Sequence, residues 1–171
     1  MSDSLRPASD SSKRTVCIIL YPMTTDQTVH SLAETWRLAA GVTSLLPRGG
    51  VVALSGDLGV GKTAFVQGIA HTLGIARPVT SPTFTLVGDY TGPGGRLVHM
   101  DLYRLTGPDD LLAIGFPDYL ESGAIVAIEW PERAGDLLPP DAVQVALTVL
   151  PDRTSRRIII RTPASTANNQ E

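Results

Sequence analysis

A chain of 171 residues, 43% hydrophobic and 18% charged, has the make-up of one globular domain long enough to bury a core. Its formal net charge of −3 excludes a surface built as a whole for nucleic acid or anionic lipid, so contact with RNA would need a local basic patch or a partner that supplies the charge. Cys17 is the single cysteine, which excludes an intramolecular disulfide and a cysteine-based zinc site, and no stretch approaches the roughly 18–20 apolar residues of a membrane span, so the chain reads as cytoplasmic.

Residues 1–14 (MSDSLRPASDSSKR) are polar and aperiodic and predict a disordered extension. Val16–Leu20 predicts a short strand ended by Pro22. Val29, Leu32, Ala33, Trp36 and Ala40 then recur at helical spacing, which predicts an amphipathic helix over 26–40, with Thr25 or Asp26 as N-cap and Gly41 just past the end. Pro47-Arg48-Gly49-Gly50 turns the chain into the apolar run Val51–Leu54.

That run leads into Gly56-Asp57-Leu58-Gly59-Val60-Gly61-Lys62-Thr63, which fits the pattern G-x-x-x-x-G-K-[ST]. Such a loop must aim successive backbone N–H groups at a phosphate, and glycines allow both the positive φ and the close approach. The helix that follows adds the positive end of its dipole, Lys62 adds a point charge, and the Thr63 hydroxyl suits Mg²⁺. Only one other lysine, Lys13, occurs in the chain.

The loop helix is expected from Lys62 to about Leu73, stopped by Gly74, with Phe65, Ile69, Ala70 and Leu73 on its buried face and Gln67 pointing away from the loop. Pro78–Pro82 is a loop. Thr83–Tyr90 and Leu97–Asp101 predict two strands joined at Thr91-Gly92-Pro93-Gly94-Gly95. Short helices follow at 108–114 and 116–121, then Ala124–Ile128, a continuous apolar run that predicts a strand buried on both faces. A helical piece from Pro131 leads to two closing strands, 143–150 and 157–161, around Pro151-Asp152-Arg153, and residues 163–171 form a polar tail. The pattern predicts an α/β fold: a P-loop NTPase-like mixed sheet flanked by helices, in a single domain over 15–162.

In an open α/β sheet, ligands gather at the carboxyl ends of the strands. Asp101 ends one apolar strand and Glu129 another, the pattern that holds Mg²⁺ directly or through water in P-loop NTPases. Each is alternatively a strand-end carboxylate paired with Arg104 or Arg133. Thr80-Ser81-Pro82-Thr83 reads either as a segment that senses the γ-phosphate or as a plain Ser/Thr turn. His99, with no second histidine at ligand spacing, reads as an inward-facing structural residue, and Trp130 as packing.

In combination, GDLGVGKT, SPTFTLV, HMDLYRL and IEWPER resemble, in order and spacing, the TsaE (YjeE) family of bacterial P-loop ATPases, over roughly Tyr21 to Arg161. The first motif is generic; the other three are specific to that family. The resemblance implies a slow ATPase required for making threonylcarbamoyladenosine in tRNAs that read codons beginning with A. It implies action with the TsaB–TsaD pair, which carries the transfer chemistry and through which tRNA is reached indirectly. By position it implies that Gly56, Asp57, Leu58, Gly59, Val60, Gly61, Lys62 and Thr63 bind ATP, that Thr63 and Glu129 coordinate Mg²⁺, and that Asp101 orients water or the metal's outer shell. Ser81 and Thr83 match the family's switch, and the first helix start, near Asp26, matches part of the adenine wall. Val60 stands where alanine is common, which removes no ligand.

A small P-loop metabolite kinase is the alternative, but such kinases usually carry an arginine-bearing lid, and the only close cluster here (Arg153, Arg156, Arg157) lies in the last hairpin. A GTPase would need an N-K-x-D segment, and the only asparagines are Asn168 and Asn169. A nucleotide-dependent interaction module shades into the first reading. No water-orienting glutamine or arginine finger is evident, so a chain that is monomeric alone is expected to be slow until a partner supplies the missing group, Arg104 and Arg133 being the internal candidates.

Overall fold

The computed structural model describes residues 23–163. The extension expected over 1–14, the strand expected over 16–20 and nearly all of the expected polar tail lie outside the described residues. Among the described residues seven strands form one mixed sheet: β1 (Thr24–Val29), β2 (Gly50–Ser55), β3 (Val87–Gly92), β4 (Gly95–Asp101), β5 (Ile125–Glu129), β6 (Val143–Val149) and β7 (Arg156–Arg161). Their spatial order is β1-β7-β6-β2-β5-β4-β3. The four central strands, β6, β2, β5 and β4, are parallel; β3 and β7 add antiparallel at either side, and β1 pairs antiparallel with β7 at the edge.

The sheet is covered on both faces, and this is why β5 reads as an unbroken apolar run: every residue of it is buried. On one face, α1 (Leu32–Leu45) and α2 (Lys62–Thr72) pack over Val52, Leu54, Leu97, Ile125, Ala127 and Val145 through Ala39, Val42, Phe65 and Ile69. On the other, α3 (Pro108–Ala113) and α4 (Phe116–Glu121) place Leu111 and Phe116 against Val51, Ala53, Val98, Met100, Val126 and Ile128. Two short 3-10 turns at Pro131–Arg133 and Gly135–Leu137 follow β5. Because the four central strands run the same way, the ends of β2, β4 and β5 share one edge. That edge carries Ser55, Asp101 and Glu129.

The first helix differs from expectation. Residues 24–29 form an edge strand instead of a helical turn, and the helix starts at Leu32 and runs through Gly41 to Leu45. Its N-cap is Ser31, whose hydroxyl accepts from the Glu34 N–H at 3.2 Å, while the Glu34 carboxylate accepts at 2.7 Å from the N–H of His30, one residue before the cap, a variant of the capping box that the S-x-x-E sequence encodes. The expected apolar face took its phase from Val29, which belongs to β1. Counted from Leu32, the buried positions are Thr35, Ala39, Val42 and Thr43, and Leu32 is half exposed. Two threonines serve on this face because each hydroxyl donates to the carbonyl four residues earlier, Thr35 to Ser31 and Thr43 to Ala39.

The two helices on this face touch closely. Trp36 Nε1 donates to the Ala64 carbonyl at 3.1 Å, and the Trp36 ring lies 4.9 Å from that of His71. At Gly68 a Cβ would come within 2.7 Å of the Ala39 Cβ and 3.0 Å of the Trp36 Cα. Alanine gains nearly 1 kcal/mol of helix propensity over glycine, but here it meets a neighbouring helix backbone that cannot step aside. Gly68→Ala is therefore expected to destabilise the protein by about 1–3 kcal/mol, the usual cost of overpacking, read as a lowered thermal midpoint.

Candidate functional site

The loop after β2 has the geometry that its glycines allow. Gly56, Gly59 and Gly61 have φ of 135°, 75° and 115°, and Gly61 is the left-handed residue from which α2 starts. At Gly56 the backbone also passes so close to β6 that a Cβ would lie 2.4 Å from the Leu147 carbonyl oxygen. Val60 is the loop's anchor: it is buried in the core, and its carbonyl accepts from Arg156 Nε of β7 at 3.2 Å. Between these fixed points Asp57, Leu58 and Gly59 are exposed. The loop is rigid at its ends and open at its tip.

Lys62 is nearly fully buried. Its Nζ donates to the Gly56 and Asp57 carbonyls at 2.7 and 3.0 Å and lies 4.1 Å from the centre of the Trp130 ring. Carbonyl dipoles and an aromatic face thus stand where the ammonium has left water. Trp130 reaches that position from a backbone φ of 61°, an uncommon conformation for a non-glycine residue. It packs against Tyr103 with ring centres 5.0 Å apart.

The two strand-end carboxylates come to the same place. The Thr63 hydroxyl donates to Glu129 Oε1 at 2.8 Å, and His99 Nε2 meets the same oxygen at 2.9 Å. Asp101 pairs in register with Glu129 across β4 and β5. Its Oδ2 accepts from the hydroxyls of Ser81 and Thr83 at 3.0 and 2.7 Å, and its Oδ1 accepts from the Tyr103 N–H at 3.1 Å. Leu58, Gly59, Gly61, Lys62, Thr63, Ser81, Thr83, Asp101 and Glu129, with Tyr103 and Trp130, line one cavity of about 340 Å³. The segment 83–86, expected as the start of a strand, is a turn that precedes β3, and this is what lets Thr83, with Ser81 of the loop before it, fold back onto Asp101.

A second cavity of about 290 Å³ adjoins the first, and Gly61 lines both. Its walls come from the β1–α1 junction (Val29 to Leu32), from Val60 and Ala64, and from Arg156 and Ile158 of β7. His30 Nδ1 lies 2.7 Å from the Ser155 hydroxyl at its edge. The Ser155 hydroxyl and backbone N–H bond in turn to Asp152, which holds that carboxyl down at about 2.

Of the expected site residues, Asp26 stands apart. It lies on β1, opposite Ile159, and its Oδ1 accepts from Arg157 Nε at 2.9 Å. The bonded guanidinium holds its carboxyl below the ordinary carboxylate range. It does not line either cavity; the true helix start, Ser31, does. Gln67 points away as expected, donating to the Val79 carbonyl at 2.9 Å. Neither Arg104 nor Arg133 lines the cavity that holds Lys62, and Arg104 stacks instead over the exposed Phe84 ring at 5.1 Å. The sequence alone assigns His99 and Trp130 to packing and not to the site. Their signal was position: His99 is two residues before Asp101 on the same strand face, and Trp130 directly follows Glu129.

The donor set fits a hard divalent cation shared with a nucleotide. A hydroxyl and a carboxylate stand side by side at the start of the loop helix, which suits Mg²⁺, an ion that completes its shell with phosphate and water oxygens. Among the described residues no group of three or more His, Cys, Asp or Glu side chains is arranged to hold a metal alone. None of the described helices is long and apolar enough to cross a membrane.

Comparison with known proteins bears on the same residues. The family model described as threonylcarbamoyl adenosine biosynthesis protein TsaE matches residues 29–158. The protein named tRNA threonylcarbamoyladenosine biosynthesis protein TsaE from Treponema pallidum is 43% identical over 123 residues, covering 72% of this chain and 90% of that protein. Its namesake in Rickettsia bellii is 38% identical over 132 residues, covering 76% and 91%. Among solved structures, Bacillus subtilis YdiB superposes with a TM-score of 0.68 at 29% identity, covering 84% of this chain and 88% of that one. The match spans the loop, the Ser81–Thr83 turn, both carboxylates and most of the sheet, and on this ground the chain belongs to the TsaE family of tRNA threonylcarbamoyladenosine biosynthesis.

Proposed function

We propose that the protein is a slow, Mg²⁺-dependent ATPase that serves the TsaB–TsaD complex in threonylcarbamoyladenosine modification of tRNA. The observation that carries this reading is the convergence of the loop, Thr63, Ser81, Thr83, Asp101 and Glu129 on one cavity. In it, Gly56 to Thr63 hold the phosphates, Lys62 neutralises their charge, and Thr63 and Glu129 hold Mg²⁺. Asp101, bonded to the switch hydroxyls, orients water or the metal's outer shell. The second cavity, joined through Gly61, is the place for the base and ribose, walled by the β1–α1 junction in place of Asp26. Phosphoryl transfer to water gains from alignment and charge neutralisation, and these residues provide both.

Among the described residues no arginine lines the cavity that holds Lys62, while an arginine finger contributes about 10³–10⁵ in rate. Slow basal turnover follows, with the missing element coming from the partner. Two side chains support docking at this edge: Leu58 on the loop tip and Phe84 beside the switch are 80% and 87% exposed. Their burial against a partner would remove apolar surface from water beside the cavity. The test is ATP turnover and tRNA modification measured together, with and without TsaB–TsaD. Both are expected to rise on addition of the partners. Phe84→Asp is expected to remove most of the rise while ATP affinity stays the same. No stimulation, together with unchanged tRNA modification on deletion of the gene, would sink the proposal.

A further inference from the structure

We propose that His99 is a positioning residue for the metal-side carboxylate: its Nε2–H holds Glu129 in the rotamer that meets Thr63, and so sets how strongly Mg²⁺ enhances nucleotide binding. This inference rests on the reading of the cavity as a Mg²⁺–nucleotide site. On the α2 side of the sheet, β4 presents Leu97, His99 and Asp101 in alternation, and β5 presents Ile125, Ala127 and Glu129 beside them. Leu97, Ile125 and Ala127 belong to the apolar core. Polarity begins at His99, one pleat below the site, where the sheet is still dry.

His99 is completely buried, and its Nε2 is 2.9 Å from Glu129 Oε1. A carboxylate oxygen only accepts, so Nε2 is assigned the hydrogen and donates. The same Oε1 accepts from Thr63 at 2.8 Å. One oxygen of Glu129 is therefore held by two donors, from the cavity side and from the core side. The other, Oε2, has no hydrogen-bond partner among the described residues and is not sealed off from solvent, which leaves it free for a metal or its water shell.

Packing alone does not account for a histidine here. His99 Nδ1 is the one buried side-chain nitrogen or oxygen among the described residues with no hydrogen-bond partner. An aliphatic side chain such as its neighbour Leu97 would fill this core without that orphaned atom. What histidine adds is a rigid donor that reaches the carboxylate from below. Outer hydrogen bonds of this kind orient metal ligands, and their loss typically costs about 10–100-fold in metal affinity.

The experiment measures ADP and a non-hydrolysable ATP analogue by calorimetry, with Mg²⁺ and with chelator, alongside thermal melting. His99→Leu is expected to lose about 10–100-fold of the Mg²⁺ enhancement while affinity in chelator is preserved. His99→Gln, whose amide nitrogen can take the place of Nε2, is expected to recover most of the loss; His99→Asn, whose amide falls short of Glu129, is not. If His99→Leu fails to fold, the Gln–Asn comparison decides by itself. A lowered melting temperature with unchanged Mg²⁺ enhancement in His99→Leu, or equal enhancement in the Gln and Asn variants, would overturn the proposal. Wild-type protein that binds nucleotide with no Mg²⁺ enhancement overturns the reading of the site itself, which is a separate outcome.

Discussion

Replacing Lys62 with alanine is expected to weaken ATP binding by on the order of 100-fold or more, because a charge-assisted hydrogen bond contributes about 1.5–3 kcal/mol and the ammonium left to donate it also attracts the charge of the neighbouring phosphate oxygens through space. In the structure Nζ rests on the Gly56 and Asp57 carbonyls and on the Trp130 face, and it is nearly shielded from water. The ammonium has thus shed most of its hydration before a nucleotide arrives, so less remains to be lost on binding. Lys62→Arg is expected to fail as well: a planar fork cannot keep both carbonyls and the ring as a compact point charge does. Thermal stability should change little, since the variant loses the lysine's buried bonds and also its burial cost. Calorimetric titration with ATP checks the effect, and an affinity within about threefold of wild type, a difference of well under 1 kcal/mol, would remove Lys62 from the site.

The loop, α2, Asp101 and Glu129 were legible because each is written locally. The loop needs glycines at fixed offsets, and buried parallel strands read as apolar runs that end in a carboxylate. β1 was not legible for the opposite reason. Its sequence, TTDQTV, lies at the sheet edge with only Val29 buried, so no alternation of apolar residues marks it. The helix after it was still written in the chain, as the Ser31–Glu34 capping box, but a count that began at Val29 masked that signal. The contacts that complete the site were beyond any local pattern. His99 reaches Glu129 across 30 residues and Arg156 reaches Val60 across 96, so both pairings depend on the assembled fold. His99 was read correctly as inward-facing; what it faces required the fold.

Glu129 offers the sharper separation of chemistry from stability, through two variants that differ in one respect. Its Oε1 accepts from both Thr63 and His99, and a glutamine side-chain oxygen can accept from both in the same way. Glu129→Gln therefore keeps the hydrogen bonds and removes only the charge. It is expected to fold with a near-normal melting temperature, to bind ATP in chelator like wild type, to lose most of the Mg²⁺ enhancement, and to drop turnover by about 10²–10³, because the Mg²⁺ that would stabilise the developing charge is no longer held in place. Glu129→Ala removes the acceptor as well. It leaves the buried His99 donor unpaired beside the already unpartnered Nδ1, and an unsatisfied buried group costs about 1–3 kcal/mol. The alanine variant should thus lose both turnover and several degrees of melting temperature, whereas the glutamine variant loses turnover alone. Equal melting temperatures would mean that Glu129 carries no structural share. Equal turnover in Glu129→Gln and wild type would mean that the negative charge at the end of β5 has no part in the reaction, and Asp101, in register with it on β4, would become the remaining carboxylate for the metal.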